Sequence, residues 1–137
     1  APDEMKLSGV VALSDTQLLI MERTDKVAKL YTVDLARATN ILATSWDEPA
    51  TTPSLEQLDD PLTANVAPLP KTLVVDLSLF PAIPEKIEGV AVLDRQTLAI
   101  ANDNDFNLGQ FDASGNNSAA PGTPSQLLIV KLDQPLP

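Results

Sequence analysis

An ungapped internal repeat is the feature that most restricts how this chain can fold. Residues 8–25 align with residues 88–105 at a constant offset of 80, and six of the eighteen aligned pairs are identical. The identical pairs are Gly9 and Gly89, Val10 and Val90, Leu13 and Leu93, Leu18 and Leu98, Ile20 and Ile100, and Asp25 and Asp105. A similar apolar run follows each copy, at residues 30–35 and 127–132. Self-similarity of this kind favours an architecture in which one unit recurs and buries its apolar faces against its neighbours.

Each copy of the repeat has the pattern of β-structure. Short aliphatic runs on both sides of a tight polar turn predict antiparallel hairpins over residues 8–23 and 88–102. The apolar run after the first hairpin alternates with period 2, which predicts a third strand with Tyr31, Val33 and Leu35 on one face.

The segment between the two copies is less regular. Residues 41–44 suggest a short strand, and residues 71–77 predict a clear fourth strand. Between them, residues 47–70 are rich in proline and acidic side chains, which is typical of a surface excursion. One helical turn is expected near residues 54–58, with Ser54 as its N-cap.

The predicted fold is all-β and forms part of a β-propeller. Four antiparallel strands per unit describe a propeller blade, so residues 8–77 are expected to form one blade and residues 88–132 a second, incomplete one. The alternative is a seven-stranded β-sandwich in which the similarity of the two copies is accidental.

The length of 137 residues is short for such an architecture. Propellers close with roughly four to eight blades, and two blades alone would leave broad apolar faces open to water. We therefore expect completion by another chain, either identical copies or a companion polypeptide that carries the remaining blades. The unmatched last blade and the start at Ala1 favour a piece of a longer, cleaved polypeptide.

Composition excludes several kinds of site. The chain contains no histidine and no cysteine, so it offers no Ser-His-Asp or Cys-His nucleophile, no disulfide and no His/Cys zinc, haem or iron–sulfur site. Nine basic against 19 acidic side chains give a net charge of −10, which argues against nucleic acid as a partner. A bound metal is expected to be a hard cation with oxygen ligands, calcium first.

Two features of the sequence bear on the compartment. No apolar run approaches 18 residues, so no membrane span is expected. A chain without cysteine is unremarkable in the bacterial periplasm, and a periplasmic or secreted bacterial protein is the expectation.

Glu88 is the first candidate site residue. It stands immediately before Gly89, at the start of an innermost strand where a blade opens onto the central channel, and the equivalent residue of the first copy is Ser8. The blade itself therefore does not require a carboxylate there. Glu88 is either a metal ligand or general base, or a carboxylate that accepts hydrogen bonds from backbone N–H groups at a strand end.

Oxygen-bearing side chains also crowd the end of the second hairpin. Asn102, Asp103 and Asp105 are candidate calcium ligands, although Leu108 and Ser114 occupy positions where an EF-hand needs glycine and glutamate. The site would then be a propeller calcium site with Glu88 reaching it from the adjacent strand. The alternative is a polar turn whose Asn and Asp side chains cap their own backbone.

Glu22 and Arg23 occupy the equivalent places in the first copy. They are interpreted either as an ion pair that lines the same channel mouth or as a plain surface pair.

Several segments, taken in order, resemble the phytase-like family, also described as the esterase-like activity of phytase domain. The segments are residues 29–35, 71–78, 86–93 and 101–106, of which Ile-Glu-Gly at 87–89 with Asn-Asp-Asn-Asp-Phe at 102–106 is the most specific combination. The resemblance covers most of the chain, least of all residues 47–70, and it places these motifs near the C-terminal end of a full propeller.

The resemblance implies a β-propeller and, by family name, hydrolysis of phosphate or other esters. Glu88 with Gly89 also resembles the Glu-Gly metal ligand of gluconolactonase-type propellers. Without histidine, hydrolysis would need a metal-activated water, with Glu88 or Asp103 as the base.

Three functions remain open at this point. The first is a calcium-dependent hydrolase that acts on a small phosphoester or ester. The second is a non-catalytic propeller module with structural calcium, and the third is a closed small β-domain with a structural role.

Overall fold

A computed structural model describes residues 5–104, 114–116 and 124–137. It contains seven strands: β1 Lys6–Ala12, β2 Gln17–Arg23, β3 Ala28–Asp34, β4 Lys71–Asp76, β5 Ile87–Asp94, β6 Thr97–Asn102 and β7 Leu127–Lys131. The first sheet has the order β1-β2-β3-β4 and the second sheet the order β5-β6-β7, and every pairing is antiparallel. Within these residues the only helical segments are short 3-10 turns. The prediction of an all-β chain is confirmed.

The two sheets repeat the same strand registers. Val10 pairs with Ile20 in the first sheet, and Val90 pairs with Ile100 in the second, at the offset of 80 seen in the sequence. A register shift marks the same place in both hairpins, immediately before Gly9 in one and before Gly89 in the other. The internal repeat is therefore a repeat of structure as well as of sequence.

The third strands also occupy equivalent places. Tyr31 lies opposite Ile20, and Leu128 lies opposite Ile100. These pairings place the apolar runs at residues 30–35 and 127–132 in the same register, as the alignment of the two runs predicts.

The two sheets pack face to face, but with opposite faces in contact. Leu19 and Met21 of the first sheet and Leu98 and Ile100 of the second are fully buried in one hydrophobic cluster. Leu98 and Ile100 are the equivalents of Leu18 and Ile20, which lie on the other face of β2. Units related in this way stack head to tail, as neighbouring propeller blades do.

Gly9 permits the close approach of the two sheets. A Cβ atom at this position would lie 3.1 Å from Cγ1 of Val90 and 3.2 Å from Cε of Met21. The absence of a side chain therefore lets β1 and β5 meet at the centre of the interface.

The face of β3 was predicted only in part. Val33 is buried, but Ala28 and Leu30 are the β3 side chains that enter the core between the sheets, and Leu35 begins a 3-10 turn and is exposed. The register shift against β4 leaves Val74 as the extra residue, whereas β3 pairs with β2 without a shift, so Ala28 and Leu30 share the face that packs against the second sheet.

The connection before β4 contains turns instead of a strand. The short strand expected at residues 41–44 is absent, because Thr44 N–H donates to the Ile41 carbonyl in a turn. A 3-10 turn does form at Leu55–Gln57, and the Ser54 that precedes it donates its N–H to the Gln57 side chain at 2.9 Å.

Over the described residues, no helix is long and apolar enough to cross a membrane.

Candidate functional site

The candidate site lies where the two register shifts bring the sheets together. Glu88 is the extra residue between Ile87 and Gly89, and Ser8 is its counterpart between Leu7 and Gly9. An extra residue in one strand re-aims the local side chains. Because the equivalent strands of the two sheets are neighbours here, Ser8 and Glu88 lie at the same end of the interface.

Arg23 joins these two positions. Its guanidinium forms an ion pair with Glu88 across the interface between the sheets. Its Nε donates to Oγ of Ser8 at 2.9 Å, and its Nη1 donates to Oδ1 of Asp25 at 3.2 Å. The Arg23 side chain is 12% exposed and that of Glu88 is 37% exposed. Glu88 is therefore a carboxylate that is fixed on one side by arginine and reached by water on the other.

Glu22 and Arg23 do not pair with each other. Glu22 forms its ion pair with Lys71 of β4, whose ammonium group also lies 4.9 Å from the ring centre of Tyr31. Consecutive residues of a strand point to opposite faces, so Glu22 and Arg23 serve different faces of the first sheet.

Asn102 is buried and organises the entry to β7. Its Oδ1 accepts the N–H of Gln126 at 2.7 Å, and its Nδ2 donates to the Pro124 carbonyl at 3.2 Å. An amide oxygen has two lone pairs, so Oδ1 keeps one acceptor position after the bond to Gln126.

Asp103 is held at the same end by backbone hydrogen bonds. The N–H of Lys86 donates to the Asp25 carbonyl at 2.7 Å, and the N–H of Asp103 donates to the Lys86 carbonyl at 2.8 Å. This series of bonds places the turn after β2, the residue before β5 and the residue after β6 side by side. The structure thus brings Glu88, Asn102 and Asp103 to one end of the sheets, and Asp105 lies outside the described residues.

The described oxygen ligands do not by themselves make a calcium site. In residues 5–104, 114–116 and 124–137, no three carboxylate side chains are grouped so that they could hold a metal ion. Calcium takes six to eight oxygen ligands, whereas Glu88 is engaged by Arg23 and Asn102 by Gln126. A calcium ion at this end would need further oxygens from outside this group.

A small cavity of about 110 Å³ lies beside the backbone hydrogen bonds that join Asp25, Lys86 and Asp103. The turn after β2 and the segment that leads into β5 line it, and its charged residues are Asp25, Lys26, Glu85 and Lys86. Ligand pockets are typically about 300–1,000 Å³, so this cavity admits a small ion or a few atoms of a larger molecule.

Sequence reasoning found the carboxylates but missed three contributors to their surroundings. Ser8, Asp25 and Lys86 take part through the contact with Arg23 and through the backbone series. The repeat already aligns Ser8 with Glu88 and Arg23 with Asp103, but it does not show that Arg23 contacts both Ser8 and Glu88.

Comparison with known protein families agrees with the resemblance seen in the sequence. The family model Phytase-like, described as "Esterase-like activity of phytase", matches residues 1–106, more than half of the chain. Neither a curated protein nor a solved structure shows a significant match to the chain. The matched range includes β1 to β6 together with Glu88, Asn102 and Asp103. The chain therefore belongs to the Phytase-like family.

Proposed function

We propose that this chain is part of a phytase-like β-propeller that hydrolyses phosphate or other esters. The observation that carries the proposal is the convergence of Glu88, Asn102 and Asp103 at one end of the interface between the sheets, in a chain of the Phytase-like family. The ends of propeller strands open onto a central channel, where ligands reach side chains from several blades.

Glu88 is the first candidate for the general base. Its ion pair with Arg23 holds the carboxylate in one orientation, and its exposed oxygen can accept a proton from an attacking water. Asp103 is the second candidate, because its position at the end of β6 places it at the same end of the sheets. General base catalysis of this kind contributes about 10²- to 10⁴-fold to a rate.

Calcium is part of the proposal as a partner that neutralises substrate charge. A protein with a net charge of −10 repels phosphoesters, so either calcium or basic side chains of other blades must offset that charge. Asp105 and oxygens of other blades are the proposed additional ligands beside Glu88, Asn102 and Asp103.

Completion of the ring by further blades is also part of the proposal. The outer face of the first sheet exposes Leu7 and Val10, and the outer face of the second exposes Leu127 and Ile129. Apolar faces of this kind are covered in a closed propeller. A companion polypeptide or identical copies would supply the cover, with this chain placed near the C-terminal end of the ring.

The periplasm or the exterior of a bacterial cell is the proposed location. Fractionation of the native host, followed by mass spectrometry of the assembly, tests both the location and the companion blades.

A second candidate function is a non-catalytic ligand-binding propeller. The observation that favours it is the structural engagement of two predicted site residues: Glu88 pairs with Arg23, and Asn102 fixes the backbone that leads into β7. In that case any bound metal would be structural.

Turnover by the native assembly separates the two functions. We expect hydrolysis of p-nitrophenyl phosphate or p-nitrophenyl acetate that depends on added calcium and is lost with a chelator. Glu88→Gln and Asp103→Asn are expected to lower kcat by about 10²-fold or more, with unchanged circular dichroism. Glu22→Gln is the matched control, because Glu22 is a paired carboxylate on the opposite face of the first sheet. Absence of turnover on every ester tested would favour the binding module.

A further inference from the structure

The turn that follows β4 holds a serine hydroxyl against a carboxylate. Oδ1 of Asp76 accepts the N–H of Ser78 at 3.1 Å and also accepts the Ser78 hydroxyl. Leu77, which lies between them, is 1% exposed and packs in the common hydrophobic cluster, so the turn is fixed to the sheet. Ser78 itself is exposed, so a molecule from solution can reach it.

Two other turns show that this backbone conformation does not require the hydroxyl. Asp34 also precedes a 3-10 turn, and its side chain accepts the N–H of Ala36 at 3.1 Å. Asp60 does the same with the N–H of Leu62 at 2.9 Å. Alanine and leucine stand in these turns where the third has Ser78. The bond from the N–H group alone is enough to cap such a turn, and the hydroxyl of Ser78 is additional to it.

The second oxygen of the Asp76 carboxylate is also engaged. Lys29 of β3 pairs with Asp76 across the sheet, and its Nζ lies 3.2 Å from Oδ2. The Asp76 side chain is only 15% exposed, so this ion pair fixes the orientation of a poorly hydrated carboxylate. A hydroxyl that donates to a carboxylate, which is in turn oriented by a third group, is the arrangement of a nucleophile with its base.

Ser78 lines the cavity of about 110 Å³ beside the turn after β2. The apolar part of the lining includes Val27, Ala28, Phe80 and Ile83. An apolar cavity of about 150 Å³ can hold benzene. The smaller cavity here therefore has room for the acyl chain of a short carboxylic acid, of about four carbon atoms or fewer.

The charges around this cavity balance. Asp25 and Glu85 are acidic, and Lys26 and Lys86 are basic. A site for a phosphoester would need an excess of positive charge to offset that of the phosphate group. A balanced lining instead suits an uncharged ligand, such as a neutral ester of a short carboxylic acid.

We propose that Ser78 is a nucleophile that accepts the acyl group of such an ester, with Asp76 as its base and Lys29 as the residue that positions Asp76. Oγ of Ser78 attacks the carbonyl carbon, and its proton passes to the Asp76 carboxylate. The bond from the carbonyl carbon to the alkoxide then breaks, and Asp76 gives the proton to the departing alcohol. Water later hydrolyses the acyl-serine to the free acid and restores the hydroxyl.

The acyl-serine is expected to accumulate. Burial of the Asp76 carboxylate, the largest influence, raises its pKa, but the bonds to Ser78 and Lys29 together hold the pKa below its ordinary value. A carboxylate with a low pKa is a weak base, so it activates the water of the second step poorly. The inference goes beyond the proposed function, because the step needs no metal and no residue of the Glu88 end.

Covalent labelling of the full 137-residue chain tests the proposal. With excess p-nitrophenyl acetate and a chelator present, we expect release of about one p-nitrophenolate per chain, and peptide mass spectrometry should find the acetyl group on Ser78. An alkyl fluorophosphonate should label the same hydroxyl, with fluoride as the leaving group. Because the chelator removes the calcium on which the proposed hydrolysis depends, labelling and calcium-dependent turnover are separate results, and either can fail alone.

Ser14 is the reference within the same chain. It is also an exposed serine in a turn, but its Oγ accepts the N–H of Gln17 at 3.1 Å, and we expect no acetyl group on it. Asp76→Asn keeps an oxygen that can cap the turn and is expected to slow labelling of Ser78 by about 10²-fold. Asp34→Asn makes the same change in a turn without the hydroxyl and is the matched control, with a change of about twofold or less.

The role of Lys29 has its own variants. Lys29→Gln is expected to slow labelling of Ser78 by about tenfold, and Lys29→Arg, which keeps the positive charge, is expected to restore most of the rate. A role in stability alone would change the urea midpoint of Lys29→Gln and leave the labelling rate under native conditions unchanged.

Three results would overturn the proposal. They are labelling of Ser78 that is no faster than that of Ser14, an acetyl group on Lys29 in place of Ser78, and an unchanged labelling rate in Asp76→Asn. Labelling by long-chain acyl esters as fast as by the acetate would contradict the choice of a short acyl group. Calcium-dependent turnover without any label on Ser78 would overturn this inference alone and leave the proposed function standing.

Discussion

The two sheets of this chain are two versions of one unit. Comparing them shows which residues maintain the strand register and which residues differ at the candidate site. Both keep the same hairpin register, the same register shift and the same glycine after it. At the end of the sheets that holds the candidate site, Ser8 of the first sheet is replaced by Glu88 of the second, and Arg23 by Asp103. Because the hairpin keeps its register with either set, the register does not depend on these residues, and they are the ones free to differ between the two sheets.

Burial differs between equivalent residues even where the sequence does not. Leu98 and Ile100 are 0% exposed, whereas Leu18 and Ile20, at the same register positions of the first sheet, are only half-buried. The first sheet covers Leu98 and Ile100, and no described segment covers Leu18 and Ile20 to the same extent. The degree of burial is therefore set by the neighbouring unit, as expected for stacked repeats.

The largest loss of stability is expected when a side chain buried between the two sheets is shortened. Leu98→Ala removes a fully buried side chain from the common cluster and is expected to lower the free energy of unfolding by about 2–5 kcal/mol. Leu18→Ala makes the same change at the equivalent, half-buried position and is expected to cost about 1 kcal/mol. Urea denaturation of both variants measures the difference.

Equal losses in the two variants would contradict this comparison of the faces. They would mean that the outer face of the first sheet is covered in solution. A dependence of the Leu18→Ala loss on protein concentration would identify a second copy as the cover.

An intermediate loss of stability is expected when the ion pair between Arg23 and Glu88 is broken. Arg23→Gln removes the partner of Glu88 and the donor to Ser8. Because Arg23 is largely buried but Glu88 is partly reached by water, the expected loss of stability is about 1–3 kcal/mol. Lys71→Gln, which breaks the more exposed pair with Glu22, is the control and is expected to cost less than about 1 kcal/mol.

A double-mutant cycle with Arg23→Gln and Glu88→Gln measures how strongly the two side chains interact. If the two groups act as one unit, the double variant should lose less stability than the sum of the single variants. Strict additivity would show that the two side chains do not interact in solution.

The sequence predicted the repeated hairpins well because their pattern is local. Strands of period 2 and tight polar turns are determined over a few residues, and β1, β2, β5 and β6 all lie in the predicted places. The strand predicted at residues 41–44 fails for a local reason, because nearby side chains accept its amide hydrogens and fold the segment into a turn. Asn40 accepts the N–H of Leu42, and Asp47 accepts the N–H of Ala43.

The candidate site was predictable in its carboxylates but not in its partners. Glu88 follows from comparison with Ser8, whereas its ion pair joins residues that are 65 positions apart and depends on how two sheets stack. The strand period already indicates that Glu22 and Arg23 face opposite sides. Only the packing of the sheets shows that Arg23 meets Glu88 and that Glu22 meets Lys71.

The smallest effect is expected at Asp76, at the end of the strand that the second sheet lacks among its described residues. Its carboxylate accepts the N–H and the hydroxyl of Ser78 and lies 3.2 Å from Nζ of Lys29. Burial of the carboxylate, the largest influence, raises its pKa, but the bonds to Ser78 and Lys29 together hold the pKa below its ordinary value. Asp76 therefore stabilises the fold at pH values above an ordinary aspartate pKa of about 3.9. This contribution is lost as the pH falls below that value and through the lower pKa of the folded state.

Asp76→Asn is expected to lower the free energy of unfolding by about 1 kcal/mol or less near neutral pH, with the difference from the parent protein shrinking in acid. Urea midpoints from pH 6 to about 2.5 measure it, with Ser78→Ala as the control that keeps the carboxylate but removes one donor. A difference that stays constant across this range would show that the Asp76 carboxylate is not the source of the acid sensitivity.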